Sequence, residues 1–312
     1  MYSNLVILQA TTDFNENLVK LNKDKIPLLT LDFSKKSQVT SEALDFKNSY
    51  FIEYFCYFLG LNSINFQFWD VVEDEFLRYE YQGKVGAMAM QEGYKQAWLT
   101  SKALQEADCS KNSSKTEAIL SQLHIVVDNN YEAFFGNLPE KTKRIEILKE
   151  FDLKKDLIVE LAGHLYAKIN RDQKLDEKDA YLVASYFPAG YKDDYVKKAQ
   201  LFLMFLASQV AYNRSSDIQL DLTAAADYQL PKVLKGLGIL SYSTELERKI
   251  SNKELIEANS AEEKAIRAAT VLACEEIKQY FNVKIENIDF ALWNIRNEFK
   301  HHEFHLTKTT HY

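Results

Sequence analysis

Apolar positions recur at helical spacing along most of the chain. Between Ser49 and Leu61 the residues Tyr50, Phe51, Tyr54, Phe55, Phe58 and Leu59 stand three and four apart, which predicts a buried helix ending at Gly60. Pro139 opens another helix that reaches Phe151, and Leu157 to Ile169 forms the next. From Ala199 to Ala211 nearly every position is apolar, a pattern that a helix satisfies only at the centre of a core. Pro231 starts a short helix for which Gly238 suits the C-terminal cap. Ser260 and Glu263 make an S-x-x-E capping box ahead of the stripe Ile266, Ala269, Thr270, Ala273 and Ile277. A last helix carries the stripe Ile288, Leu292, Ile295 and Phe299.

Alternation is rare. Ile26 to Leu31 reads as a short strand, and Asn65 to Trp69 followed by Phe76 to Gly83 reads as a β-hairpin, the only appreciable strands expected. Ser110 to Lys115 reads as an exposed loop and Asn170 to Asp179 as a polar turn. Asp172, Asp176 and Asp179 invite a calcium-loop reading, but Lys174 stands where a ligand is needed and Leu175 where the tight turn wants Gly. No repeat of 20 to 50 residues is present, which argues against a solenoid.

Composition sharpens this picture. Only 9 Gly and 4 Pro interrupt 312 residues, far below the usual shares of about 7% and 5%, so long uninterrupted elements dominate and the fold is expected to be mainly α with a minor β-hairpin. With 46% hydrophobic and 27% charged residues the chain can bury a large core. It is expected to form one domain over residues 1–312, with residues 1–48 its least patterned part. A net charge of −7 and the lack of a long Lys/Arg run argue against a nucleic-acid polymer as partner. Cys56, Cys109 and Cys274 are odd in number and lack metal spacing, which suits reduced thiols in the cytoplasm. Met1 to Ala10 lacks the build of a signal peptide, and nowhere do about 18 apolar residues run without charge, so no membrane span is expected.

Several segments could carry chemistry. Asp289 falls in the first turn of the last helix, on one edge with Trp293 and Arg296; it can cap that helix, pair with Arg296, or steady positive charge on a substrate. Asp227, before Tyr228 and the helix-opening Pro231, is flanked by apolar residues and must accept hydrogen bonds, from backbone amides or from a bound base. Lys197 sits at a helix N-terminus, where an anion would suit both its charge and the free amides; Asp193 and Asp194 upstream could equally screen it. Alternation sends Phe66 and Phe68 to one side of their segment, as a pocket wall or as core. His301 and His305 stand at i, i+4, but no second Cys/His cluster completes a metal site. The chain has no G-x-S-x-G, P-loop, G-x-G-x-x-G or H-E-x-x-H motif, which removes the commonest hydrolase, nucleoside-triphosphate and dehydrogenase classes.

The order of Ala226-Asp227-Tyr228-Gln229-Leu230-Pro231, Glu263 to Thr270 and Ile288-Asp289-Phe290-Ala291-Leu292-Trp293 resembles the queuosine 5′-phosphate N-glycosylase/hydrolase family, or queuosine salvage proteins. The resemblance runs from about residue 50 to 312 and implies a compact helical domain similar to helical DNA glycosylases. It implies cleavage of queuosine 5′-monophosphate to queuine and ribose 5-phosphate for reuse in tRNA modification, with no cofactor and no metal. By resemblance, Asp289 is the nucleophile or transition-state stabiliser, with Phe290, Trp293 and Asn294 of the same segment at the substrate. Asp227 and Tyr228 take the base, Lys197 of Lys197-Lys198-Ala199-Gln200 takes the 5′-phosphate, and Phe66 and Phe68 wall the base pocket. His305, Thr309 and Tyr312 match the family's ending and could close over the substrate. Departures are Gln229 for Arg, Gln67 for Cys, Ala225 for an aromatic residue, and no histidine in residues 1 to 65. A glycosylase for another purine or deazapurine nucleoside, or a noncatalytic nucleotide-binding protein, would fit the same features.

Overall fold

A computed structural model describes residues 4–34, 44–73, 75–107, 114–123 and 130–312. Helices dominate it, as the scarcity of Gly and Pro predicts. The first half holds α1 (Leu5–Asp13), α2 (Phe51–Ser63), α3 (Ala87–Ala107), α4 (Lys115–Gln122), α5 (Tyr131–Phe135), α6 (Lys141–Leu153) and α7 (Lys155–Asp172). The second holds α8 (Glu177–Tyr186), α9 (Pro188–Tyr191), α10 (Lys197–Arg214), α11 (Gln229–Gly236), α12 (Thr244–Ser251), α13 (Ala261–Phe281) and α14 (Ile285–Asn294).

The apolar α10 lies in the core and packs against α2, α8 and α9. On the other side α13 packs against α1, α11 and α14. The helix α2 continues past Gly60 to Ser63; Gly60 is no terminator but a place where the Tyr94 hydroxyl of α3 occupies the room a Cβ would need. At the end of α11, Gly238 adopts φ +75° and donates to Lys235 O at 2.8 Å, while Ile239 N–H donates to Leu234 O at 2.9 Å, the Schellman pattern that its position foretold. Ser260 caps α13 through Glu263 N–H, but the Glu263 carboxylate turns to the amide of Asn259 and to Arg267, so the box does not close.

Strands extend beyond the expected hairpin, in four two-stranded pairs among the described residues. The hairpin is displaced from its expected arms, with β2 (Trp69–Val72) rather than Asn65–Trp69 pairing with β3 (Glu75–Arg78), and a second hairpin joins β4 (Glu80–Tyr81) to β5 (Lys84–Val85). β1 (Val19–Leu21) pairs antiparallel with β8 (Leu240–Tyr242), and β6 (Lys174–Asp176) pairs parallel with β7 (Gln219–Asp221). The strand expected at Ile26–Leu31 is instead a 3₁₀ turn over Lys23–Leu28, because Pro27 has no N–H for a ladder. The Asp-rich turn is used internally: Asp176 and Asp179 form a reciprocal cap on α8, and Lys168 Nζ bridges them at 2.9 and 2.6 Å. Of the expected 110–115 loop, residues 110–113 lie outside the described residues; Ser114 caps α4.

Candidate active site

A cavity of about 480 Å³ opens between α2, α10 and α14 and is closed on its other sides by β3, β5, the start of α3, the loop before α11 and the C-terminal segment. It meets the size range of a small-molecule site. Asp289, Phe290 and Trp293 of α14 line it, with Lys197 of α10, Asp227 and Tyr228 before α11, Phe68 before β2, and Tyr312.

Asp289 stands in the second turn of α14. The helix begins at Ile285, so Asp289 caps nothing, and Arg296 lies flat on Trp293, its Cζ 3.3 Å from the ring centre, rather than against the acid. Both bland readings of Asp289 give way to a buried carboxyl facing the cavity. Its Oδ2 accepts from the Ala225 N–H at 2.8 Å. Burial pushes its pKa up to about 7; the Ala225 amide opposes this, Asp227 adds to it, and Lys197 also opposes it.

Asp227 Oδ1 accepts from the amides of Gln229 and Leu230 at 2.7 and 3.1 Å, so one carboxylate oxygen fixes the start of α11. The preceding carbonyl, Ala226 O, is held by Arg267 Nε at 3.3 Å. Arg267 in turn grips Asp193 through two bonds of 2.7 Å, and Asp193 Oδ2 accepts from Lys197 N–H at 3.0 Å. Burial would raise the Asp193 carboxyl, yet the Arg267 charge and bonds hold it at about 2. A buried ion pair thus locks the start of α10 to the Asp227 loop. Arg267 and Asp193 escaped the sequence reading as site residues, although an arginine four residues after Glu263 inside an apolar helix was a visible signal.

The lysine pair divides. Lys198 turns to the core, where its Nζ donates to Ser63 O at 2.7 Å and lies 4.8 Å from the Phe66 ring centre. Lys197 turns to the cavity. Burial lowers its pKa, and the charges that favour its ionised form are Asp227 and then Asp289. The first amide of α10 is taken by Asp193, whose charge also acts on the Lys197 ammonium together with Asp227 and Asp289.

Three of the expected site residues lie away from the cavity surface. Phe66 is fully buried beneath Arg144, whose Cζ is 4.0 Å from its ring centre, because Gln67 takes φ 36° and breaks the alternation that would have aligned Phe66 with Phe68. Arg144 also donates to the carbonyls of Pro139, Phe66 and Gln67, pinning this segment. Asn294 is exposed at the end of α14. His305 is buried behind Tyr312, with Nε2 3.0 Å from the Tyr312 hydroxyl, and burial lowers its pKa to about 3. It acts on the cavity through Tyr312, which shares an aromatic cluster with Tyr228 and Phe304.

Residues 47–312 match the family model described as queuosine salvage protein. The chain belongs to that family. Across 93% of its length it is 26% identical to the queuosine 5′-phosphate N-glycosylase/hydrolase of Dictyostelium discoideum, spanning 92% of that protein. The protein of the same name from Sphaerobacter thermophilus is 30% identical over 76% of this chain and 74% of its own length. The Mus musculus one is 24% identical over 81% and 80%. Membership in the queuosine salvage family covers every segment that lines the cavity. No helix among the described residues is long and apolar enough to cross a membrane.

Proposed function

We propose that this chain hydrolyses the N-glycosidic bond of queuosine 5′-monophosphate and releases queuine and ribose 5-phosphate. The observation that carries the reading is the buried Asp289 carboxyl at a cavity of nucleotide size in a chain of the queuosine salvage family. Cleavage breaks the bond between the anomeric carbon and the base nitrogen, and the bonding pair leaves with the base. The sugar then carries oxocarbenium-like charge, which an ionised Asp289 stabilises or captures. Water supplies the hydroxyl that ends on the anomeric carbon, and the proton it loses passes through Asp289 to the base. Atoms and charge balance without a further reagent.

The Lys197 charge favours the ionised form of Asp289 and so opposes the effect of its burial. A 7-deazaguanine leaving group has no N7 lone pair to protonate, so its other edges must take up the developing charge. Asp227, with Oδ1 already held by amides, turns its second oxygen to the base N–H edge. Phe68, Tyr228, Phe290 and Trp293 supply the aromatic walls. The reading takes the chain as one catalytic domain, akin in plan to helical DNA glycosylases, acting on a free nucleotide in the cytoplasm, where Cys56 and Cys274 remain free thiols.

The test is direct. Purified protein incubated with queuosine 5′-monophosphate, with no metal added, should release queuine, read by chromatography. A folded protein that binds the nucleotide and releases nothing would turn the assignment to a noncatalytic nucleotide-binding protein.

A further inference from the structure

Within the field of Asp227 the cavity carries a second charged group. Arg78 at the end of β3 and Arg296 just after α14 both line it, and Lys232 of α11 lies beside them with Nζ donating to Arg296 O at 3.2 Å. Two cations line the cavity and a third backs them, in a chain whose net charge is −7. Like charges gathered in this way oppose one another. Burial and then Arg78 lower the Lys232 pKa to about 8, and burial lowers that of Arg296 to about 10, with Asp227 opposing and Arg78 adding. The carboxylates that act on the group are Asp227 on both and Glu303 on Lys232. Cations exceed anions there.

The other cavity cations are balanced. Lys84 pairs with Glu92 at 3.0 Å, and Lys197 feels the charges of Asp227, Asp289 and Asp193. Arg296 is preorganised: it stacks on Trp293 and its Nη1 donates to Trp293 O at 2.7 Å, one of the five N–H donors of a guanidinium. Arg78 is exposed, while Lys232 is buried and stands behind Arg296, outside the cavity lining. Arg296 follows Asp289 by seven residues, roughly 10 Å along the helix direction. That spacing leaves room for a ribose between a carboxylate at the anomeric carbon and a cation at the 5′ end.

We propose that Arg78 and Arg296, the latter held by Lys232, form the binding site for the substrate's 5′-phosphate, in place of Lys197. The assignment rests on the nucleotide-hydrolase reading above. It gives a doubly charged group a wall at which Arg78 is exposed to solvent.

The experiment compares wild type, the double variant R78Q/R296Q and the single variant R78Q, the last at an exposed position that should not disturb folding. Two readouts are taken: kcat/KM on queuosine 5′-monophosphate and on unphosphorylated queuosine, and the rise in melting temperature with ribose 5-phosphate. Preference for the phosphorylated substrate should fall about tenfold to hundredfold per arginine removed. Ribose 5-phosphate should stabilise wild type and stabilise the double variant far less. Equal losses on both substrates, or full stabilisation of the double variant, would overturn the assignment. If wild type releases queuine from neither substrate, the hydrolase reading fails; the ribose 5-phosphate result then still decides the anion site.

Discussion

The backbone N–H of Ala225 donates to Asp289 Oδ2 at 2.8 Å, joining α14 to the loop that carries Asp227. One hydrogen bond thus sets the distance between two acids from chain segments more than sixty residues apart. It also orients one carboxylate oxygen and lowers the cost of ionising a buried group, against the larger effect of burial.

Asp289→Asn should lower turnover by at least about a hundredfold, as removal of one preorganised electrostatic group does elsewhere, while substrate binding persists. For wild type, turnover should rise with pH through about 7 as Asp289 ionises. Stability should run the other way. The folded state holds this proton more tightly than the unfolded chain, where an aspartate titrates near 3.9. The contribution is therefore fully present below about pH 4 and lost as pH rises to about 7. Melting curves should show Asp289→Asn gaining on wild type between pH 4 and pH 8; a parallel pH dependence would mean that Asp289 is not the buried titrating group.

Lys197→Met removes the cation that both acids feel. Asp289 then loses an effect that opposes its burial, so the midpoint of the pH–turnover profile should move above 7. Turnover near neutrality should fall on phosphorylated and unphosphorylated substrates alike. A loss confined to the phosphorylated substrate, with no shift of the profile, would return Lys197 to the phosphate.

Long helical patterns were legible because burial of one face repeats every few residues, as in α10 and α13. The acids Asp227 and Asp289 were legible through their neighbours. What escaped depended on distant partners or on missing punctuation. The start of α14 at Ile285 has Lys284 at its cap position and no side-chain cap bond, so nothing local marked Asp289 as lying in the second turn. Strand β1 takes its partner from β8, more than two hundred residues on, and three residues carry too little alternation to announce it. The fate of Phe66 was decided by the positive φ of Gln67 and by Arg144, a buried cation from another helix.

The Arg144 anchor offers a test of that last point. Its guanidinium reaches the carbonyls of Pro139, Phe66 and Gln67 at once, and burial lowers its pKa to about 10. A lysine has the charge but not the planar fork. Arg144→Lys should therefore destabilise the fold by about 1–3 kcal/mol, the cost of leaving buried acceptors unpaired, and should raise KM because Phe68 and Trp69 line the cavity. Urea denaturation with substrate kinetics checks both; an unchanged KM would separate this anchor from the pocket wall.

The buried pair Arg267–Asp193 should show the asymmetry of ion pairs removed from water. Each side chain is only 2% exposed, and the two meet through twin bonds of 2.7 Å. Arg267→Met leaves Asp193 charged and unpaired in the core and should cost about 3–5 kcal/mol. Adding Asp193→Asn should recover part of that loss, since the unpaired Asp193 charge is then gone, while Glu263 at 3.6 Å still lacks its cation. Asp193 is held at about 2, so its contribution is present above about pH 4 and lost as pH falls toward 2. Wild type should therefore lose stability relative to the double variant over that acid range. Turnover should fall in both variants, because Arg267 also holds the Ala226 carbonyl beside Asp227. A single-variant cost below about 1 kcal/mol, typical of a surface pair, would show that water reaches the site and that the lock between α10 and the Asp227 loop is loose.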